Sequence, residues 1–143
     1  MSKDLFTIAF DLGGTIFSNH NDNRFFKKNY LETTLSVGIY DLIVDLSKDP
    51  TIKLIIISKA FPVSAKKSKE ILDQYDLTKY FNSIIFCEKN DSKYPIAKAM
   101  GVDLMIDDKI EVLEPFAGDI ATFLYNPQTS SQLRRAISQL RVP

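Results

Sequence analysis

Four short clusters of polar residues each follow directly on a run of hydrophobic residues. The first is Asp11-Leu12-Gly13-Gly14-Thr15, and the second is Ser58 followed by Lys59. The third is Glu88-Lys89-Asn90-Asp91-Ser92-Lys93, and the fourth is Asp107-Asp108-Lys109. A lone aspartate, a hydroxyl, a lysine and a carboxylate pair, brought to one crevice, suit a phosphate group and a magnesium ion. Magnesium takes oxygen ligands in octahedral geometry and keeps several waters, so two carboxylates and a backbone carbonyl suffice as a partial shell. Beside such an ion, the Asp11 carboxylate can attack phosphorus to give an aspartyl-phosphate. The Ser58 hydroxyl and a lysine ammonium would hold the phosphoryl oxygens as charge shifts during transfer. Gly14 and Thr15 would let backbone amides come close to the phosphate.

For these clusters to meet, the elements between them must deliver them to one edge. Apolar stretches rich in β-branched and aromatic residues recur at 5–10, 52–57, 83–87, 104–106 and 120–124. Runs this apolar suit strands buried on both faces of a parallel sheet. Helical patterns alternate with them at 39–46, 64–75, 110–116 and 130–140. A further helix, capped by Asp91 or Ser92, runs to Met100 and is ended by Gly101. The pattern predicts an α/β fold, a Rossmann-like doubly wound parallel sheet with right-handed crossovers. In such a sheet ligands bind beyond the carboxyl ends of the strands, where all four clusters fall. Residues 12–57 leave no room for a large cap domain between Asp11 and Ser58. The segment 18–29, polar and then basic-aromatic with Arg24, Phe25, Phe26, Lys27 and Lys28, reads as a flap. It belongs to a short flap or minimal cap around 16–37, with Phe25 and Phe26 packing onto the core and His20 solvated.

The bulk composition sets the class. With 143 residues, 45% hydrophobic and 25% charged, the expectation is one globular domain over 1–143. Eighteen basic residues balance eighteen acidic ones, so no global field argues for nucleic acid or an acidic membrane surface. Lysines 66, 67 and 69 read as the wet face of a helix. The single Cys87 sits in an apolar run and reads as a small buried hydrophobe in a reducing compartment. With no secretory h-region and no membrane-length apolar run, a cytoplasmic location is expected.

The four clusters, in this order, resemble the signature motifs of the haloacid-dehalogenase-like superfamily. Phe10-Asp11-Leu12-Gly13-Gly14-Thr15 looks like the first motif, Asp-x-Asp-x-Thr, and Ile57-Ser58 like the second. Lys93 or Lys89 would be the third, and Met105-Ile106-Asp107-Asp108 the fourth. Asp103 to Lys109, Phe116-x-Gly118 and Leu124-Tyr125-Asn126-Pro127 look most like the 5'(3')-deoxyribonucleotidase group. The resemblance implies a magnesium-dependent phosphohydrolase acting on a phosphorylated small molecule or nucleotide. Asp11 would be nucleophile and metal ligand, Gly13 would offer only its carbonyl, and Asp108 would ligate more directly than Asp107. Lys93, which opens a helix, is preferred over Lys89 as the lysine that binds phosphate and balances Asp11.

Gly13 stands where the family's phosphatases carry the aspartate that protonates the leaving group, a function worth typically ~10²–10⁴-fold. Two expectations follow: a weakened phosphohydrolase, or a non-catalytic relative that binds magnesium and a phosphorylated ligand or a protein partner. The Asp-Leu-Gly-Gly-Thr stretch also looks like the phosphate hairpin of actin/hexokinase-type sugar kinases. Those kinases need a second strand directly after it and a chain about twice this length, whereas a polar flap follows here.

Overall fold

Alternate residues along each strand carry the apolar side chains of two separate cores, so the sheet is sandwiched between helical layers. A computed structural model describes residues 5–18 and 28–141. Five strands form one sheet: β1 (Phe6–Phe10), β2 (Ile52–Lys59), β3 (Ser83–Cys87), β4 (Leu104–Asp107) and β5 (Ala121–Leu124). Their spatial order is β3-β2-β1-β4-β5. Every neighbouring pair is parallel. The helices between them are α1 (Ile39–Ser47), α2 (Pro62–Gln74), α3 (Lys93–Ala99), α4 (Ile110–Leu113) and α5 (Leu133–Leu140).

Ile8, Phe10, Leu54, Ile56, Leu104 and Ile106 pack with residues of α1, α2 and α5 in one core. Their strand neighbours Ala9, Ile55, Ile57 and Met105 pack with Ala97, Leu113 and Phe116 in the other. Full burial of each such Ile or Leu contributes about 1.5–3 kcal/mol, which is what fixes strand register and face. The chain leaves β1 toward β2 and β3 and later returns to place β4 on the other side of β1. The crevice between the ends of β1 and β4 is therefore the topological switch point.

The elements lie where the sequence predicts them, with instructive differences at their ends. Neither Asp91 nor Ser92 caps α3 through its side chain. A 3-10 turn over Asn90–Ser92 leads straight into the helix, and Ser92 is already helical at φ −78°, ψ −16°. The far end follows expectation: Gly101 sits at φ +69°. Gly101 N donates to Lys98 O (3.2 Å) and Val102 N to Ala97 O (3.0 Å), closing a Schellman motif. The stretch 110–116 splits into α4 and a 3-10 turn over Glu114–Phe116, because Pro115 has no N–H to continue the α ladder.

The base of the segment after β1 is paired: Ser18 N donates to Thr34 O and Ser36 N to Ile16 O, each at 2.9 Å. Its return limb is fastened to α2. The Tyr75 hydroxyl donates to Thr33 O (2.6 Å), Gln74 Nε2 donates to Leu31 O (2.7 Å), and the Tyr30 hydroxyl bonds to Glu70. The expected flap residues 19–27, including His20, Phe25 and Phe26, lie outside the described residues. Among the described residues no helix is long and apolar enough to cross a membrane.

Candidate active site

Asp11 leaves the sheet at the end of β1, with its amide donating to Ile106 O of β4 at 2.9 Å. That bond ties the aspartate to the neighbouring strand, whose last residue is Asp107. The chain then turns sharply: Leu12 O accepts from both Thr15 N (3.1 Å) and Phe17 N (2.9 Å), and Gly14 N donates to Phe17 O (2.9 Å). The Gly14 and Thr15 amides, expected to face a phosphate, are thus engaged within the turn itself.

Gly14 has a second, steric reason to be glycine. It sits at φ +79°, and a Cβ there would lie 2.2 Å from Asp108 Oδ2. Asp108 therefore rests against the bare Cα of Gly14. A Cβ on Gly13 would meet nothing within 4 Å.

Lys93, the first residue of α3, is only 2% exposed. Its Nζ donates to Asp11 Oδ1 at 3.0 Å and to Asp107 Oδ2 at 2.8 Å. Asp107, fully buried, accepts a further bond from Lys109 N through Oδ1 at 3.1 Å. Both of its oxygens are thereby engaged. Asp108 differs: its Oδ1 is buried with no hydrogen-bond partner, as is Thr15 Oγ1. One carboxylate oxygen from each of Asp11, Asp107 and Asp108 lies within 4.8 Å of the others.

Three carboxylates against one ammonium, in a place with little water, is an unbalanced arrangement. Burial pushes the Asp11 carboxyl up to about 7; Lys93 opposes this, while Asp107 and Asp108 add to it. Asp108 is likewise raised, by burial first and then by the Asp107 charge. For Lys93, burial works against the charged form, but Asp11 and Asp107 outweigh it and the ammonium is held more firmly than in water. The excess negative charge and the orphaned Asp108 oxygen fit a hard divalent cation bound by oxygen.

Ser58 is the penultimate residue of β2 and 5% exposed. Since Phe10 pairs with Ile56, Ser58 stands two residues beyond that level, at the same carboxyl edge as Asp11. Lys89, the alternative lysine, is exposed, and its carbonyl accepts from Cys87 Sγ at 3.3 Å. The structure thus gathers Asp11, Gly14, Lys93, Asp107 and Asp108, with Ser58 near the end of the adjoining strand β2, Thr15 in the turn after β1 and Lys89 exposed outside. The Lys109 amide that fixes Asp107 left no signal in sequence, because its role depends on the backbone turn after β4.

Five parallel strands with the switch point at β1 and β4, and an acidic cluster at their carboxyl ends, define a Rossmann-like α/β fold. No protein-family profile and no curated protein matches the chain. Solved structures do. A chain of the Pnkp1/Rnl/Hen1 complex is 14% identical at a TM-score of 0.70, covering 87% of this chain and 47% of its own. The present chain thus spans under half of that relative. An uncharacterized protein from Listeria monocytogenes serotype 4b is also 14% identical at a TM-score of 0.70, covering 96% and 99%. A haloacid dehalogenase-like family hydrolase from Xanthomonas campestris, 9% identical, gives a TM-score of 0.61 over 97% and 99%. The chain thus shares its fold with these structures, a five-stranded Rossmann-like α/β sheet similar to that of the haloacid dehalogenase-like hydrolase.

Proposed function

We propose that this chain is a magnesium-dependent phosphohydrolase of nucleotidase type that works through an aspartyl-phosphate on Asp11, slowly. The observation that carries the reading is Lys93, buried and shared between Asp11 and Asp107. A buried ammonium between two carboxylates is costly to assemble and serves to aim and charge-balance a reactive carboxylate.

In this reading Asp11 Oδ attacks phosphorus, and Lys93 keeps Asp11 oriented and takes up charge on a phosphoryl oxygen. Ser58 contributes a hydroxyl to another oxygen. Asp107 acts by holding Lys93, and Thr15 helps close the turn through its amide, which donates to Leu12 O. Asp11, Asp108 and the Gly13 carbonyl would hold magnesium, with Asp107 behind them. When bound, the ion would neutralise the carboxylates and polarise the phosphoryl group. The segment 16–37 would serve as a minimal cap over a single domain, and the buried lone Cys87 agrees with a reducing cytoplasm.

Gly13 favours a second reading, in which the same crevice binds magnesium and a phosphorylated ligand or protein partner without turnover. The two part on one assay: magnesium-dependent phosphate release from an aryl phosphate and a nucleotide panel by the native chain, Gly13→Asp and Asp11→Asn. Native release abolished by Asp11→Asn supports the enzyme. Release seen only with Gly13→Asp supports the binding protein. No release and no magnesium binding by any of the three overturns both.

A further inference from the structure

We propose that the outer edge of β3 receives a second copy of this chain, paired strand to strand about a two-fold axis at Ile85. The inference concerns the sheet and stands apart from the reading of the crevice.

β3 is an edge strand: in the order β3-β2-β1-β4-β5, no strand among the described residues lies beyond it. Which backbone groups it leaves open follows from its register on β2. Cys87 pairs with Lys59, and Ala60 N donates to Cys87 O at 2.8 Å. In a parallel ladder, alternate residues carry the bonds to a given neighbour. Ser83, Ile85 and Cys87 therefore turn their amides and carbonyls toward β2, while Ile84 and Phe86 turn theirs away from the sheet. Two donors and two acceptors stand in a row there, a template for another strand.

Nothing within the strand blunts that edge. Ser83–Cys87 holds no charged residue and no proline, and its register on β2 runs without a bulge. Ile84, Ile85 and Phe86 are each only half-buried, so apolar surface remains for a partner to cover. The Lys69 ammonium lies 5.8 Å from the centroid of the Phe86 ring and so shields a face of the sheet, not its edge.

The opposite edge of the sheet differs. Tyr125 N donates to Asp107 O, so the Leu124 carbonyl, across the same peptide, points outward from β5. The Thr129 hydroxyl already donates to it at 2.8 Å. Seating β3 of one copy on β5 of the next, which would build an open filament, therefore lacks an acceptor. Seating β3 on β3 lacks nothing.

With the axis at Ile85, an antiparallel arrangement sets Ile84 opposite the partner's Phe86, and Phe86 opposite the partner's Ile84. Each is a hydrogen-bonded pair that exchanges two bonds, so every outward group of both strands is satisfied. The two Ile85 side chains meet between them as the closer, non-hydrogen-bonded pair. Aromatic and β-branched residues thus face one another, the kind of cross-strand pair that stabilises sheets. No like charges are opposed: Ser83 falls opposite the partner's Cys87, and Glu88 opposite the partner's Asn82.

The test is sedimentation equilibrium of the native chain over a concentration series, with residue-resolved amide exchange at both ends of it. The expected result is a monomer–dimer equilibrium in which the Ile84 and Phe86 amides slow by about 10-fold or more as the dimer fills. The Ile85 amide, already bonded to β2, should change little. Ile85→Lys sets two like charges together at the axis and should give a folded monomer by circular dichroism. Ile84→Pro removes an outward N–H and no bond within the sheet, so it too should be a folded monomer, and it serves if Ile85→Lys fails to fold. A native chain that stays monomeric throughout the series overturns the proposal. So does a dimer that persists in the folded variants, or one whose Ile84 and Phe86 amides exchange as fast as in the monomer.

Discussion

Replacing Lys93 by methionine tests the electrostatics of the crevice, because methionine keeps most of the apolar stem and removes the ammonium with its two hydrogen bonds. In the native chain the ammonium lies 2.8 Å from Asp107 Oδ2 and 3.0 Å from Asp11 Oδ1. All three side chains are at least nine-tenths buried. Removing one member of a buried pair leaves an uncompensated charge and costs about 3–5 kcal/mol. In a chain of this size that lowers Tm by roughly 10 °C. The loss must depend on pH, and the sign follows from Asp11. Its carboxyl is raised from 3.8 to about 7, so its protonated form is the one the fold prefers. Such a group supports folding below its unfolded pKa, and that support is lost as pH rises through the folded value. Without Lys93, which opposes the rise, Asp11 holds its proton to higher pH still. Lys93→Met should therefore be mild near pH 5 and severe near pH 8. Urea unfolding in EDTA at the two pH values measures it, and Asp11→Asn in the same background should recover part of the loss at pH 8. A cost below about 1 kcal/mol at pH 8, or one that does not change with pH, would refute the electrostatic account of the site.

Other outcomes follow from the same geometry. Magnesium should raise Tm more at pH 8 than at pH 6, because the ion competes with protons on Asp11 and Asp108, both raised by burial; scanning calorimetry with and without magnesium checks this. Gly14→Ala should destabilise by about 1–3 kcal/mol and weaken magnesium binding, since it forces a Cβ into Asp108 at a positive φ. Gly13→Ala, one residue away with free space around it, should stay within about 0.5 kcal/mol of native in chemical denaturation. The Cys87 thiol, raised mainly by burial, should react slowly with a thiol reagent at neutral pH until the chain is unfolded.

The sheet was legible because its strands are buried on both faces and read as uninterrupted apolar runs; the prediction at 83–87 coincides with β3. The carboxyl-edge clusters were legible for the same reason, since polar residues stand out at the end of such runs. Helix ends were harder. The start of α3 depends on a 3-10 turn that propensity does not distinguish from a capped helix, and that turn aims Lys93 inward while Lys89 stays outside. The turn after β1 also hid its detail. Gly14 could be read as a flexible position, but its closeness to Asp108 arises only when β1 and β4 pair. Which amides are free is a property of that turn's hydrogen bonds, and no residue type announces it.

The central claim is that Asp11 is a nucleophile, and a single measurement addresses it. The native chain and Asp11→Asn are incubated with magnesium and acetyl phosphate, quenched in acid and weighed intact. The native chain should gain the mass of one phosphoryl group, located on Asp11 by peptide mapping, and Asp11→Asn should gain nothing. A native chain that stays unmodified, or an adduct that survives Asp11→Asn, would contradict the account.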